Sequence, residues 1–316
     1  MAIGDRTEWG AEVAEAPTPQ AEFRSGFAAL VGPPNSGKST LLNALVGAKV
    51  AITSPMPQTT RSPLRGVATL PHAQIVFVDT PGLHRPRHTL GERMLRAART
   101  ALADVDVVLF VVDGSRSPGE ESRIAAEAVA SAGRPTVAVV NKRDVATPHA
   151  LQTWESWLAE SVRPEQVVRT SALRAEGLDE VVMAIVERLP PGPRYFEDDD
   201  LTDQPVQALV REVVREKAIL LTREEIPHAI AVELDEFRPR PEQGITYIRA
   251  TLHVERPSQK KILVGGGGRV IREIGTLARQ EIEALIGGRV YLDLWVKVSQ
   301  GWRERESLVR RFYPEV

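Results

Sequence analysis

Five short stretches of this 316-residue chain carry side chains whose types and spacing suit nucleotide chemistry. Gly32-Pro33-Pro34-Asn35-Ser36-Gly37-Lys38-Ser39-Thr40 fits G-x-x-x-x-G-K-[ST]. Glycines there let backbone N–H groups turn toward phosphate oxygens, Lys38 reaches the β/γ-phosphates, and Ser39 offers a hydroxyl to Mg²⁺. Asp79-Thr80-Pro81-Gly82-Leu83 puts a carboxylate where it can hold the Mg²⁺ shell and a glycine N–H where it can meet a γ-phosphate. Between the two lies the proline-broken stretch from Pro55 to Pro63, which cannot be helix and whose hydroxyl could close over Mg²⁺; Thr60 is the preferred ligand over Thr59. In Asn141-Lys142-Arg143-Asp144 the carboxylate of Asp144 can accept two hydrogen bonds at once, matching the adjacent N1–H and amino donors of guanine, where adenine offers no such pair. Lys142 can lie along the base plane and Asn141 can tie this loop to the phosphate loop, while Ser171-Ala172-Leu173 could give a backbone N–H to the guanine carbonyl.

Each motif alone has a plainer explanation, such as a helix cap, a turn or a solvated loop. Their positions argue otherwise, because they come in one order, each at the end of its own short apolar run or, for Pro55 to Pro63, in the loop between two of them. Strands are expected at Phe27 to Val31, Gln74 to Val78, Val105 to Val112, Thr136 to Val140 and Val167 to Thr170. Helical patterns fill 38–46, 89–103, 119–132, 149–162 and 178–189. Buried strands alternating with helices predict a mostly parallel sheet that binds ligands at the strands' carboxyl ends, with Leu64 to Leu70 as an antiparallel edge. Residues 1–24 mix Ala, Glu and Pro and read as a disordered tail. The first domain is expected over 25–192, a linker over 193–205 that opens on proline and an acidic run, and a second domain over 206–316.

Composition narrows the classes. Forty Lys and Arg against 42 Asp and Glu give a net charge of −2, which excludes a polybasic nucleic-acid coat. Residues 1–200 sum to −4 and residues 201–316 to +2, and between Arg256 and Arg279 six basic residues face the single acid Glu273. Without cysteine there is neither a disulfide framework nor a thiolate site, and a reducing compartment is the natural reading. No apolar run reaches the roughly 18 residues a membrane span needs, and the polar start is unlike a secretory signal, so a cytoplasmic location is expected.

The second half reads as a helix (206–222), strands from His228 to Arg238 and Thr246 to Arg256, a helix (258–264), four glycines, a helix (269–286) and a strand from Arg289 to Val298. In KH domains, which share the order α-β-β-α-α-β in their bacterial form, a G-x-x-G loop lets a nucleic-acid backbone approach two helix ends. Here Gly265-Gly266-Gly267-Gly268 stands in that place, and Lys260, Lys261, Arg269 and Arg272 supply positive charge. Gly266 and Gly267 replace the polar or basic pair such loops often carry. In the last strand Leu292, Leu294, Val296 and Val298 share one face. Tyr291, Asp293, Trp295 and Lys297 share the other, which could stack on RNA or equally pack against the first domain.

Over residues 25–316 this combination resembles the Era subfamily of translation-factor-class bacterial GTPases, which are ribosome-assembly factors. The resemblance rests on residues 32–39, Gln58-Thr59-Thr60-Arg61, Asp79 to His84, Asn141 to Asp144, the glycine loop and Leu294 to Val298. It implies an α/β P-loop GTPase domain followed by an α+β type II KH domain, with GTP/GDP and Mg²⁺ as ligands. It implies 16S rRNA (its 3′ end) and the 30S subunit as partners, and leaves open peripheral association of a monomer with the inner membrane. Leu83 stands where Ras-like proteins place a water-orienting Gln, so slow intrinsic hydrolysis is expected. Relatives lacking that Gln use K⁺ beside the β/γ-phosphates, held partly by the residue matching Asn35. Lys38, Thr60, Gly82 and Asn35 are thus the candidate catalytic residues, whereas His84, an exposed loop histidine by sequence, is not expected to be the base. Two rivals stay open: an RNA-binding module that only binds GTP, and a peripheral membrane or signalling GTPase.

Overall fold

The computed structural model describes residues 22–86 and 88–314. Positions 1–21 of the expected tail lie outside the described residues. Arg24 already belongs to a strand, its N–H donating to the His72 carbonyl at 3.1 Å and its guanidinium to the Leu189 carbonyl at 2.7 Å.

The first lobe runs β1 (Arg24–Val31), α1 (Lys38–Val46), β2 (Leu64–Leu70), β3 (Ala73–Asp79), α2 (Thr89–Ala103), β4 (Val107–Asp113), α3 (Glu120–Ala132), β5 (Thr136–Asn141), α4 (Pro148–Ser161), β6 (Gln166–Arg169) and α5 (Leu178–Val186). Every residue of β3, β4 and β5 is buried, which is why these strands read as unbroken apolar runs. The sheet order is β2-β3-β1-β4-β5-β6, with only β2 antiparallel. Leu41, Leu42, Val181 and Ile185 of α1 and α5 cover one face; Ala98, Leu102, Ala125, Val129, Trp154 and Leu158 of α2, α3 and α4 cover the other. The chain leaves β1 for β3 on one side and β4 on the other, so a crevice opens at the carboxyl end of β1, where ligands of such sheets sit. Helix starts are set locally. The His88 ring accepts from the Gly91 N–H at α2, and the Thr147 hydroxyl accepts from the Ala150 N–H at α4.

The second lobe comprises α6 (Val206–Leu220), α7 (Ile226–Ala229), β7 (Ala231–Arg240), β8 (Ile245–Val254), α8 (Pro257–Val264), α9 (Arg269–Ile286), β9 (Arg289–Val298) and α10 (Glu306–Phe312). β8 is the centre of its sheet, antiparallel to β7 and parallel to β9. Val210 and Val214 of α6 with Ile274, Ala278 and Ile282 of α9 bury one face against Ile248, Ala250 and Leu252.

Two expectations change. His228 is not in a strand: Ile226–Ala229 forms one helical turn with Pro227 near its start, and the strand begins at Ala231. Beyond Val298 a 3-10 turn (Trp302–Glu304) and α10, absent from the sequence reading, pack Trp302, Val309, Phe312 and Tyr313 against Leu90 and Met94 of α2. The two lobes thereby share an apolar cluster. Segment 193–205 is also fixed at its flanks. Gln74 exchanges hydrogen bonds with the Tyr195 and Phe196 backbone, and Arg65 pairs with Asp203 at 2.8 Å, while Glu197 to Asp200 stay exposed.

Candidate functional site

The loop between β1 and α1 can approach its neighbours only through glycine. A Cβ on Gly32 would lie 2.1 Å from the Val111 carbonyl oxygen; on Gly37, which has φ +94°, it would lie 2.3 Å from Asn141 Nδ2. Lys38 is buried at the first turn of α1, and its Nζ donates to the Gly32 and Pro33 carbonyls at 3.2 and 2.9 Å. Burial pulls its amino group down to about 8, opposed by the charges of Asp79 and Glu121. Asn35 adopts φ 62° and its Nδ2 donates to the Pro55 carbonyl at 3.2 Å. Thr40 lines the same cleft.

Three oxygens converge beside the lysine. Ser39 Oγ donates to Asp79 Oδ2 at 2.7 Å, Thr60 Oγ1 donates to the same oxygen at 3.0 Å, and the two hydroxyls are 2.9 Å apart. Asp79 is fully buried. Desolvation raises its pKa against the pull of Lys38, Ser39 and Thr60, and its Oδ1 is buried without a partner. Two hydroxyls and a carboxylate with a spare oxygen fit a hard divalent cation shared with phosphates. Thr59, the alternative, turns away: its hydroxyl bonds to Met56 O at 2.8 Å and Ser54 Oγ at 2.6 Å. After Asp79 the chain crosses under the phosphate loop. Thr80 donates its hydroxyl to the Leu30 carbonyl, Pro81 is buried, and Gly82 lies so close to Pro34 that a Cβ would sit 3.0 Å from its Cα. Leu83 is fully buried in the core with its N–H on the Gly32 carbonyl. His84 is buried rather than exposed.

The opposite end is tied to this one. Asn141 donates to the Ser36 carbonyl at 3.0 Å and accepts from Thr170 and from the Ala172 N–H. Lys142 (φ 63°) reaches over to the Asn35 carbonyl and Asp113 Oδ2, both at 2.7 Å. Arg143 points outward to Glu176, and its N–H bonds to the Thr170 carbonyl. Asp144 Oδ1 accepts from the Ser171 hydroxyl at 2.7 Å, which holds the carboxylate in place. The N–H groups of Ser171 and Ala172 are donated inside the protein, to Glu176 O and Asn141 Oδ1, which narrows any backbone donor for a base in this segment to Leu173. Asp113, unnoticed in the sequence, closes β4 as Asp79 closes β3. Its carboxyl lies below the usual range because Lys142 and Ser115 hydrogen-bond to it against the cost of burial.

In the second lobe Lys260 and Lys261 are exposed on α8 and Arg269 is exposed at the start of α9. Gly265, Gly267 and Gly268 all have positive φ, and a Cβ on Gly265 would lie 2.6 Å from Val270 Cγ2, whereas Gly266 and Gly267 face open space. Arg272 is not free-standing: its guanidinium donates to the Gly267 and Gly268 carbonyls at 2.6 and 3.1 Å, stiffening the loop. Beside the loop a groove of about 280 Å³ runs between α9 and β9, lined by Gly275, Thr276, Arg279, Leu292 and Leu294 among others. Its mid-helix glycine was the overlooked sequence signal. Trp295 is 59% exposed on the far face of the sheet and so does not pack on the first lobe.

The lobes meet at the loop carrying Thr60. Arg61 is buried, donating to the carbonyls of Pro227, His228 and Ile230 and to Tyr313 Oη, with the Trp302 and Tyr313 rings 5.7 and 5.6 Å away. Arg215 of α6 donates to the Thr59 carbonyl, and Glu216 accepts from the Thr53 N–H at 2.9 Å and pairs with Lys49.

Comparisons with known proteins agree with this geometry. Residues 27–142 match the family model described as 50S ribosome-binding GTPase, and residues 225–303 match the KH domain. The chain is 44% identical over 290 residues to GTPase Era of Carboxydothermus hydrogenoformans (92% of this chain, 97% of that one). It is 47% identical over 293 residues to GTPase Era of Nostoc sp. (92% and 90%). Two solved structures superpose with TM-score 0.89 at 39% identity, covering 93% of this chain and all of theirs. One is an Aquifex aeolicus Era variant bound to GDP·AlF4⁻; the other is Era with MgGDPNP and nucleotides 1506–1542 of 16S ribosomal RNA. On sequence, domain content and fold together, this chain belongs to the Era family of GTPases.

Proposed function

We propose that this GTPase is a molecular switch whose GTP state governs how its KH lobe grips the 3′ end of 16S rRNA during assembly of the 30S subunit. In this reading residues 25–192 bind nucleotide, 193–205 link and 206–316 bind RNA. The observation that carries it is the junction at Thr60 and Arg61, where neighbouring residues serve the cation site and the inter-lobe interface. The phosphate loop from Gly32 to Thr40 wraps the triphosphate, with Lys38 on its β/γ oxygens. Ser39, Thr60 and Asp79 would hold Mg²⁺, which would supply positive charge to the phosphate oxygens. Gly82, the residue of this turn that lines the cleft, faces the γ-phosphate, and Thr80, Pro81 and Leu83 hold its backbone against the phosphate loop. Asn141, Lys142, Arg143 and Asp144, with Ser171, Ala172 and Leu173, enclose guanine. Asn35, whose Nδ2 is held by the Pro55 carbonyl, keeps its side-chain oxygen for a K⁺ ion, which would add positive charge beside the phosphates.

Lys260, Lys261, Arg269 and the loop from Gly265 to Gly268 meet the RNA backbone, with Arg272 bracing that loop, while single-stranded bases occupy the groove between α9 and β9. The protein works as a monomer in the cytoplasm. A peripheral contact with the inner membrane would be made by surface residues, since no helix among the described residues is long and apolar enough to cross a bilayer. Crosslinking to a 16S 3′-end oligonucleotide, with the protein loaded with GDP or a nonhydrolysable GTP analogue, tests the whole reading. Crosslinks should fall in the α8–α9 loop and β9 groove and differ in yield between the two states; equal yields, or crosslinks elsewhere, would remove it.

A further inference from the structure

We propose that Gln58 positions the attacking water for GTP hydrolysis and that His84 holds Gln58 in place. The inference rests on the GTPase activity of the family and addresses the gap left by Leu83, whose side chain is fully buried away from the cleft. The next residue, His84, folds back onto the Gly82 carbonyl and Gln58. His84 Nδ1 lies 2.8 Å from the Gly82 carbonyl, which can only accept, so Nδ1 carries the proton. Nε2 is then the acceptor, and Gln58 Nε2, an amide donor, lies 3.0 Å from it. Spending its amino group on the imidazole leaves Gln58 its carbonyl oxygen as the acceptor end.

Gln58 lines the phosphate cleft together with Thr60 and Gly82, the residues assigned to the γ-phosphate end, and with Lys38 and Ser39. Its backbone has φ 64°, a left-handed conformation disfavoured for a non-glycine residue, and it is fixed on its carboxyl side by the bonds of Thr59 and Thr60. That bend aims the side chain inward. In the reaction a water oxygen bonds to the γ-phosphorus as the bond to the β–γ bridging oxygen breaks, its electron pair leaving on GDP. The water proton passes to an oxygen of the released phosphate, so neither side chain is protonated or deprotonated overall. Gln58 accepts one water hydrogen and fixes the line of attack, and His84 is a positioning residue rather than a base.

The test uses the full chain with Gln58→Ala, His84→Ala and the double variant, following single-turnover hydrolysis, affinity for a nonhydrolysable GTP analogue, and AlF4⁻-dependent fluorescence of labelled GDP. Losing the water's alignment should slow Gln58→Ala by about 10–100-fold while analogue affinity stays within about twofold. The AlF4⁻ signal should disappear with GDP binding intact. His84→Ala should lose less, and the double variant should be no slower than Gln58→Ala, because both act through one contact. Unchanged hydrolysis in Gln58→Ala, additive losses, or analogue affinity falling in step with rate would each overturn the proposal. Failure of the wild-type chain to hydrolyse GTP would instead strike the GTPase reading itself.

Discussion

Lys38 shows how a single buried charge sets opposite pH trends for folding and for binding. Its amino group falls to about 8 in the folded protein, from 10.5 in a solvated chain. Between those values the folded state binds fewer protons, so this group's contribution to stability rises with pH. Phosphate oxygens against Nζ favour the charged form and lift the value back, so binding takes up a proton above pH 8. Affinity for a GTP analogue should therefore be flat below pH 8 and fall by up to about tenfold per unit above it, a sign opposite to the stability trend. Calorimetry in two buffers of different ionisation enthalpy would register the uptake; pH-independent affinity to pH 9 would contradict it. Asp144 gives the complementary specificity test. The Ser171 hydroxyl anchors one of its oxygens, so Asp144→Asn keeps the geometry but replaces an acceptor with a donor. Preference should move from guanosine toward xanthosine triphosphate by roughly a hundredfold or more, read as the ratio of the two dissociation constants. At this scale the sequence was informative because the phosphate-loop and N-K-x-D residues are contiguous and their spacing alone encodes the turn. Asp113 and the Gln58–His84 contact were invisible because they join segments that only the fold brings together.

At the level of elements, legibility followed burial. β3, β4 and β5 are buried throughout and α9 has a strong apolar stripe, so period and composition located them within a residue or two. The segment Ser299–Phe312 escaped because its aromatic residues are spaced for a surface on the other lobe, not for a helix of its own. The glycine loop between α8 and α9 was legible as a connection between two helices, but the bracing by Arg272 was not. With that guanidinium held by loop carbonyls, Lys260, Lys261 and Arg269 remain as exposed cations beside the loop, and in the proposed reading they are the ones that meet the RNA backbone. Replacing both lysines by Gln should lower RNA affinity at low salt and shallow the slope of log affinity against log salt by about 1.4, near 0.7 per phosphate contact on a single strand. A titration series from low to moderate salt measures this, and an unaltered slope would exclude both from phosphate contact. Fold stability should barely change, since both side chains are exposed.

For the whole molecule, the decisive feature is that the loop over the cation site is held from both sides. Thr60 faces Ser39 and Asp79 in the first lobe, whereas Arg61 is sunk among four acceptors and two aromatic rings of the second. Arg215 and Glu216 grip the same loop at Thr59 and Thr53. A ligand shifts an equilibrium only by its differential affinity for two states, and in the proposed reading the γ-phosphate and its cation would act on Thr60, one residue from the interface. If Arg61 transmits that difference, the RNA affinities of the GTP-analogue and GDP forms should differ by roughly 5–150-fold in the wild type, the span of ordinary coupling energies. In Arg61→Ala the ratio should contract toward one, with analogue affinity changed by the same factor when RNA is present. Arg61→Lys should restore little of the ratio, because a single ammonium cannot reach carbonyls on Pro227, His228 and Ile230 together with the Tyr313 hydroxyl. Anisotropy titrations of labelled RNA in both nucleotide states decide the matter. A full wild-type ratio in the alanine variant would mean that the lobes communicate through the shared Leu90, Met94, Trp302 and Phe312 cluster, where truncation of Met94 should then abolish the coupling.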